Sequence, residues 1–436
     1  MKKRMSSLYH SAIFDRLTLK LSGVLRLLFL FCLPSAAFAQ YHTHPCIDAV
    51  KTLQVTVDGD FMKLPVIDME GNNELEISFD YLADEEPWLY YRVVHCDADW
   101  RIDNLSEMDY VDAFFPMSID NVKPSFNTFT TYYHFSIGFP NEDVKLKASG
   151  NYALLVFDSD NDTDASLRNK HLIAVATFSL SEQMVFARGE VTSNTDIDFH
   201  ATHQQLNLEL GWSTIRMPYL DPVTELKVVA RQNRRNETKR EITMPTRIES
   251  GKVVYEHNKD LIFDAGNVYR RFEFVDEKYA TIGIESVEYH APYYEAYLWT
   301  DTARKGKSFR YDRTQTGRFL IRAARVSDVD TEADYFIARF SLDAQGIRKS
   351  DDVRISGDFI SANAVDNSMV YIEDENVFVK DVLLKQGSYN YLYTIDDNPS
   401  PVEGDFYETE NEYDIYIYYR PNGARYDRLM GVGIVR

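Results

Sequence analysis

The sequence predicts an all-β chain of tandem immunoglobulin-like β-sandwiches, and three observations carry that prediction. Apolar and polar residues alternate with a period of two in many short stretches, while helical periodicity is scarce. Turn residues punctuate these stretches at the spacing of a sandwich. Aromatic residues make up 14% of the chain, chiefly Tyr and Phe, which suits broad pleated faces.

The elements follow in order. Residues 1–39 read as an export signal. Lys2, Lys3, Arg4, Arg16, Lys20 and Arg26 precede an apolar run from Leu27 to Leu33, and Ala37-Phe38-Ala39 has the small-x-small form of a cleavage site. The mature chain is then expected to begin at Gln40. The apolar run is shorter than the roughly 20 residues that span a bilayer. Cys32 lacks the small residues that precede a lipidated cysteine, so release outranks lipid anchoring. Charges interrupt every later apolar stretch, which leaves a soluble or peripheral protein with no direct membrane span. A membrane β-barrel is the alternative, and the short charged loops and the non-aromatic end Val435-Arg436 speak against it.

Beyond the signal, Glu74 to Asp80 alternates strictly, with Leu75, Ile77 and Phe79 on one face. Leu89 to Val94 reads as a buried strand. Asn104 to Phe115 is the best helical candidate, because Leu105, Met108, Val111 and Phe115 fall on one face of a helix. Strands follow at 151–157, 171–180, 205–210, 271–274, 376–379 and 389–393. The chain closes on a hairpin: Asp414 to Tyr419 in, Pro421-Asn422-Gly423 turning, Tyr426 to Val435 out. Three modules are expected after the signal, at 40–182, 183–350 and 351–436, with the polar stretch 343–352 as a linker.

Charge narrows the partners. The chain carries −21, and removing a signal with six Lys/Arg and one Asp leaves about −26. Such a body repels phosphate backbones and anionic lipid, so nucleic acid is excluded as a partner and a basic protein surface favoured. Cys46 and Cys96 are the cysteines left after processing. In an oxidising compartment they are a possible disulfide, tying the N-terminal segment to the strand before Trp100; two separate buried thiols are the alternative.

Candidate sites are few. His95, Asp97 and Asp99 share a face if their strand continues, a metal or acid/base arrangement; polar residues capping a strand exit explain them better. Asp158 to Asp164 resembles the start of a calcium loop. Thr163 stands where its glycine belongs, however, and Asn169 where its glutamate belongs, so a solvated turn is the better reading. Arg231, Arg234, Arg235, Lys239 and Arg240 form one basic patch without interleaved aromatics, read as a hairpin tip or a protein-contact loop. His42, His44, His200 and His203 are scattered. No motif sets a base beside a nucleophile, cradles a phosphate or calls for a cofactor, so no catalytic, cofactor or metal residue is assigned.

At this point the residues resemble a family. Trp88-Leu89-Tyr90-Tyr91-Arg92-Val93-Val94-His95-Cys96-Asp97-Ala98-Asp99-Trp100 is similar to the signature of the type IX secretion system plug protein. So are Ser125-Phe126-Asn127-Thr128 with Tyr132, Tyr133 and His134, then Phe139-Pro140-Asn141 and Ser149-Gly150-Asn151-Tyr152. Tyr269 to Phe274 and Arg425-Tyr426-Asp427 to Gly431-Val432-Gly433 extend the likeness along the mature chain. The resemblance implies a periplasmic, non-enzymatic protein at the inner face of the outer membrane. Its partner would be the large translocon β-barrel, whose periplasmic opening it closes. The last module also resembles early-set sandwiches of glycogen-binding modules, in Gly357-Asp358-Phe359, Leu383 to Gly387 and Tyr389-Asn390-Tyr391. Ile360, Ser361, Ala362 and Asn363 stand where a sugar-stacking aromatic would be. A carbohydrate-binding β-sandwich protein is therefore the runner-up, and a glycosidase whose carboxylates meet only on folding is third.

Overall fold

The computed structural model describes residues 40–217, 219–242 and 244–436; the expected export signal lies outside the described residues. Residues 41–436 form one compact unit of three β-sandwiches.

In the first sandwich, one sheet runs in the order His44–Pro45, Leu172–Ser181, Gly150–Phe157, Tyr90–Cys96, Met117–Ser118, with Val66–Asp68 also on Leu172–Ser181. The facing sheet is Val50–Val57, Leu75–Tyr81, Tyr133–Phe139, Val122–Pro124. Alternate residues from both meet in the core, among them Ile77, Phe79, Phe135, Val93, Tyr152 and Phe178. Gly150–Phe157 does not alternate, and all eight of its residues are buried. Its second face is covered too, by Tyr41 and the 158–171 loop near Leu155 and Phe157. A strand covered on both faces loses its reason to alternate.

The helix expected over 104–115 shrinks to one turn, Glu107–Tyr110. Val111 is already extended and pairs with Leu146, so Met108, at 82% exposure, covers no core. Pairing of Val111–Asp112 with Lys145–Leu146 overrides the local helical pattern.

The second sandwich is built from two distant pieces. One sheet is Val185–Thr192, His203–Trp212, Lys252–Tyr255, Arg247–Glu249, with Ile262–Asp264 also on His203–Trp212. The other is Arg240–Ile242, Leu226–Gln232, Tyr413–Tyr419, Arg428–Val435. The closing hairpin is present as expected, but Ile415, Ile417 and Met430 belong to the core of Leu208, Val228 and Val253. The sheets meet closely at Gly431, where a Cβ would lie 1.9 Å from the Val185 carbonyl oxygen.

The third sandwich lies between those pieces. Arg270–Phe274, Gly387–Ile395 and Phe319–Ile321 form one sheet, with Val353–Ser356 also on Gly387–Ile395. The other is Ile284–His290, Tyr293–Leu298, Tyr335–Asp343, Val377–Lys385, Val370–Ile372. The boundary expected at 350/351 therefore divides no core. Phe272, Phe336, Phe359 and Tyr391, drawn from both sides of it, pack in one cluster. The polar stretch read as a linker is only the connection between two consecutive strands, Tyr335–Asp343 and Val353–Ser356, in the two sheets of this sandwich.

Candidate functional site: the junction of the three sandwiches

The polar side chains that sequence alone leaves unexplained converge where the sandwiches meet. Between the first and third, the strand Val50–Val57 bulges between Lys51 and Gln54, and Thr52 takes a positive φ of 56°. The bulge pushes Thr52 and Leu53 against the turn at Ala362 and Asn363. Thr52 N donates to Asn363 Oδ1 at 2.9 Å, and Leu53 N to Ala362 O at 2.9 Å. The residues after Gly357-Asp358-Phe359 are thus part of a joint, with Phe359, Ala362 and Asn363 buried.

Beside them sits Asp80, wholly buried. Its carboxylate accepts from Lys385 Nζ at 2.8 Å and the Tyr335 hydroxyl at 2.7 Å, and its other oxygen is 2.7 Å from His134 Nδ1. Burial pushes the Asp80 carboxyl up, but Lys385 and His134 outweigh it and hold the group below its ordinary range. The Tyr335 hydroxyl is pushed well up by burial, with Asp80 adding to it.

Between the first and second sandwiches, Ala98 N donates to Asp427 Oδ2 at 3.0 Å, and Asn151 Nδ2 to the Tyr418 hydroxyl at 3.0 Å. Around them Ala98, Val229, Tyr416, Tyr418 and Leu429 make an apolar seam. Asp99 binds Lys227 at 3.0 Å and Lys239 at 2.7 Å; burial raises its carboxyl, but the two lysines hold it at about 2.

The tempting triad is thereby dispersed. His95 is buried, with Nδ1 on Asp103 and Nε2 3.1 Å from Ser149 O. Asp97 closes its own loop, accepting from Asp99 N and Arg101 N, and Asp99 serves the second sandwich. In the 158–164 loop, Asn169 Nδ2 donates to the backbone carbonyls of Asp162 and Asp164, and the Asp158 carboxylate binds His171. His203 binds Asp198 and His200 binds Ser193, both away from the junction. His42 lines the cleft described below, and His44 stacks on it. Among the described residues no group of three or more His, Cys, Asp or Glu has a metal-binding arrangement.

The disulfide is not formed: Cys46 and Cys96 are both free thiols, the first exposed and the second buried. Cys46 follows the strand His44–Pro45, while Cys96 ends a strand three places across the same sheet, beyond Leu172–Ser181 and Gly150–Phe157. Three strand spacings amount to about 14 Å, well past bridging distance.

The basic patch is no free hairpin tip. Arg231 pairs with Asp414 at 2.7 Å and lies over the Tyr416 ring, Arg234 donates to Met62 O, and Lys239 reaches Asp99. Arg235, 3.5 Å from Glu237, and Arg240, over the Phe263 ring, stay within the second sandwich. The contact loop anticipated from sequence is thus an internal one, touching the first sandwich. Arg318 of the third sandwich joins from the far side and pairs with Glu412 at 2.8 Å. Together these side chains wall a cleft of about 280 Å³ lined by all three sandwiches, including Phe61, Trp100, Arg231, Arg234, Arg318, Phe319 and Asp358. Asp358 is an exposed residue of the lining and stands in the field of Arg234 and Arg318. Burial, with Arg318 beside it, lowers Arg234 to about 10. Chemically the cleft offers guanidinium donors and aromatic walls. Sequence reading found its first two arginines but not Arg318, whose partners lie in other modules.

Comparison with known proteins agrees with this architecture. A crystal structure of a hypothetical protein from Parabacteroides merdae ATCC 43184 superposes with a TM-score of 0.85 at 38% identity, covering 91% of this chain and 100% of that one. No curated protein sequence matches. The model of the type 9 secretion system plug protein first domain matches residues 50–175, the stretch that contains the Trp88–Trp100 run. The chain belongs to the type IX secretion system plug protein family.

Proposed function

We propose that the chain is a non-enzymatic plug subunit, which binds the periplasmic opening of the outer-membrane type IX secretion translocon and occludes it. The observation that carries this reading, beside the family, is how the three sandwiches are fastened. Domains in one chain move against each other by default unless their interface is large and well made. Here Thr52, Asp80 and Asn151 are all buried in joints, and each gives at least one hydrogen bond or ion pair to a neighbouring sandwich. A body that blocks a pore must not hinge, and these joints resist hinging. That it works without chemistry is supported by the use of its titratable groups: His95, His134 and Asp80 hold strands together.

Among the described residues no helix is long and apolar enough to cross a membrane, and a place at the inner face of the outer membrane fits the expected export signal. Crosslinking in intact cells, followed by purification from solubilised outer membranes, is expected to recover a giant β-barrel protein. Recovery without any barrel would overturn the proposal. Deleting the gene is expected to make the outer membrane leakier to large solutes.

A further inference from the structure

The cleft at the three-way junction carries a second inference, independent of pore closure. Arginines from two sandwiches face it, and their charges are unevenly matched. Arg231 is matched by Asp414, with Nη2 2.7 Å from Oδ2. Arg318 and Arg436 share one carboxylate, Glu412, at 2.8 and 2.5 Å. Arg234 makes no ion pair among the described residues; its Nη2 is spent on the Met62 carbonyl. Arg318 is 3% exposed, and the Nε–H groups of both Arg234 and Arg318 are buried without an acceptor. An unsatisfied buried donor of a charged group is costly, so the arrangement is incomplete as it stands.

Asp358 is the acidic side chain in the lining, and it makes no ion pair among the described residues. With Arg234 unmatched, two arginines on one glutamate, and Asp358 opposing them, the cleft has room for about one further negative charge. Phe61 and Trp100 of the first sandwich add aromatic surface to the lining. A carboxylate with an apolar body fits both features: Arg234 Nη1 is left to donate to one of its oxygens, and one charge suffices. The volume of about 280 Å³ suits a ligand the size of one side chain.

We propose that this cleft binds a carboxylate through Arg234, with Arg318 reinforcing the positive field, either as a free small acid or as the acidic side chain of a peptide. Occupancy would join the three sandwiches through one ligand.

Titration calorimetry on the full mature chain tests the proposal with benzoate, with uncharged benzamide, with inorganic phosphate, and with a short glutamate peptide against its glutamine counterpart. Benzoate or the glutamate peptide is expected to bind at one site, and whichever binds identifies the source of the carboxylate. Benzamide and the glutamine peptide are expected not to bind. Arg234→Gln is expected to weaken binding about tenfold or more, the loss of one charge-assisted hydrogen bond, and Arg234→Lys to weaken it less. Binding of neither carboxylate, equal binding of benzamide, tighter binding of phosphate, or unchanged affinity in a folded Arg234→Gln protein would each overturn it. The benzamide arm needs no variant, so the test survives if Arg234→Gln fails to fold.

Discussion

Lys385 Nζ lies 2.8 Å from Asp80 Oδ2, and both side chains are 1% exposed although they come from different sandwiches. Taking two charges out of water costs several kcal/mol each, so such a pair holds only when its remaining atoms are satisfied. Here they are, by His134, Tyr335 and the Asp330 carbonyl. Removing one partner strands the other. Asp80→Ala is expected to destabilise the protein by about 3–5 kcal/mol in denaturant unfolding, and Asp80→Leu with Lys385→Met to recover most of that loss.

The same group gives a pH dependence. The folded Asp80 carboxyl titrates below its unfolded value of about 3.9, so its stabilisation is complete above that pH and fades as pH falls through the folded value. Wild type is expected to lose urea resistance below about pH 4 more steeply than Asp80→Asn. Parallel profiles would show that the carboxylate does not lock the joint.

The backbone joint makes a separate prediction. Asn363 Oδ1 accepts from Thr52 N, and Asn363 O accepts from Lys51 Nζ at 3.1 Å. Asn363→Ala leaves the buried Thr52 N–H without its acceptor and is expected to cost about 1–3 kcal/mol. Hydrogen exchange at the Thr52 amide should speed up accordingly.

Close sheet packing predicts that Gly431→Ala fails selectively. Its Cβ would sit 1.9 Å from Val185 O, a backbone atom that only a shift of the whole strand can move. The expected loss is about 1–3 kcal/mol or more, visible as exposure of Trp212 to fluorescence quenchers before the first sandwich melts.

The thiols offer a direct check on the sheet order. In denaturant the mature chain is expected to titrate two free thiols. In the native state the exposed Cys46 is expected to react and the buried Cys96 to be protected. Recovery of a Cys46–Cys96 crosslinked peptide from oxidised protein would contradict the strand order described above.

Much of the fold is legible in the sequence because alternation reports one wet and one dry face. That rule alone puts Leu75, Ile77 and Phe79 in the core, where they lie. The same rule misplaces Asp80, assigning it to water with Glu76 and Ser78, because the covering surface comes from residues more than two hundred positions away. Arg231 and Arg234 read as an exposed tip for the same reason. Local patterns carry information about the strand and its sheet; they carry none about which other sandwich will lie on top. The domain boundary failed likewise, since Asp414 to Val435 reads as a hairpin wherever it docks.

The second sandwich depends on strands far apart in the chain. Arg231 and Asp414 are 183 residues apart in the chain, yet their strands are neighbours. Until the closing hairpin arrives, one long margin of Leu226–Gln232 has nothing to bond with, and the apolar layer beneath it stays open to solvent. The third sandwich, by contrast, is contiguous in the chain. The core of the second sandwich is therefore closed only when both distant pieces of the chain are in place.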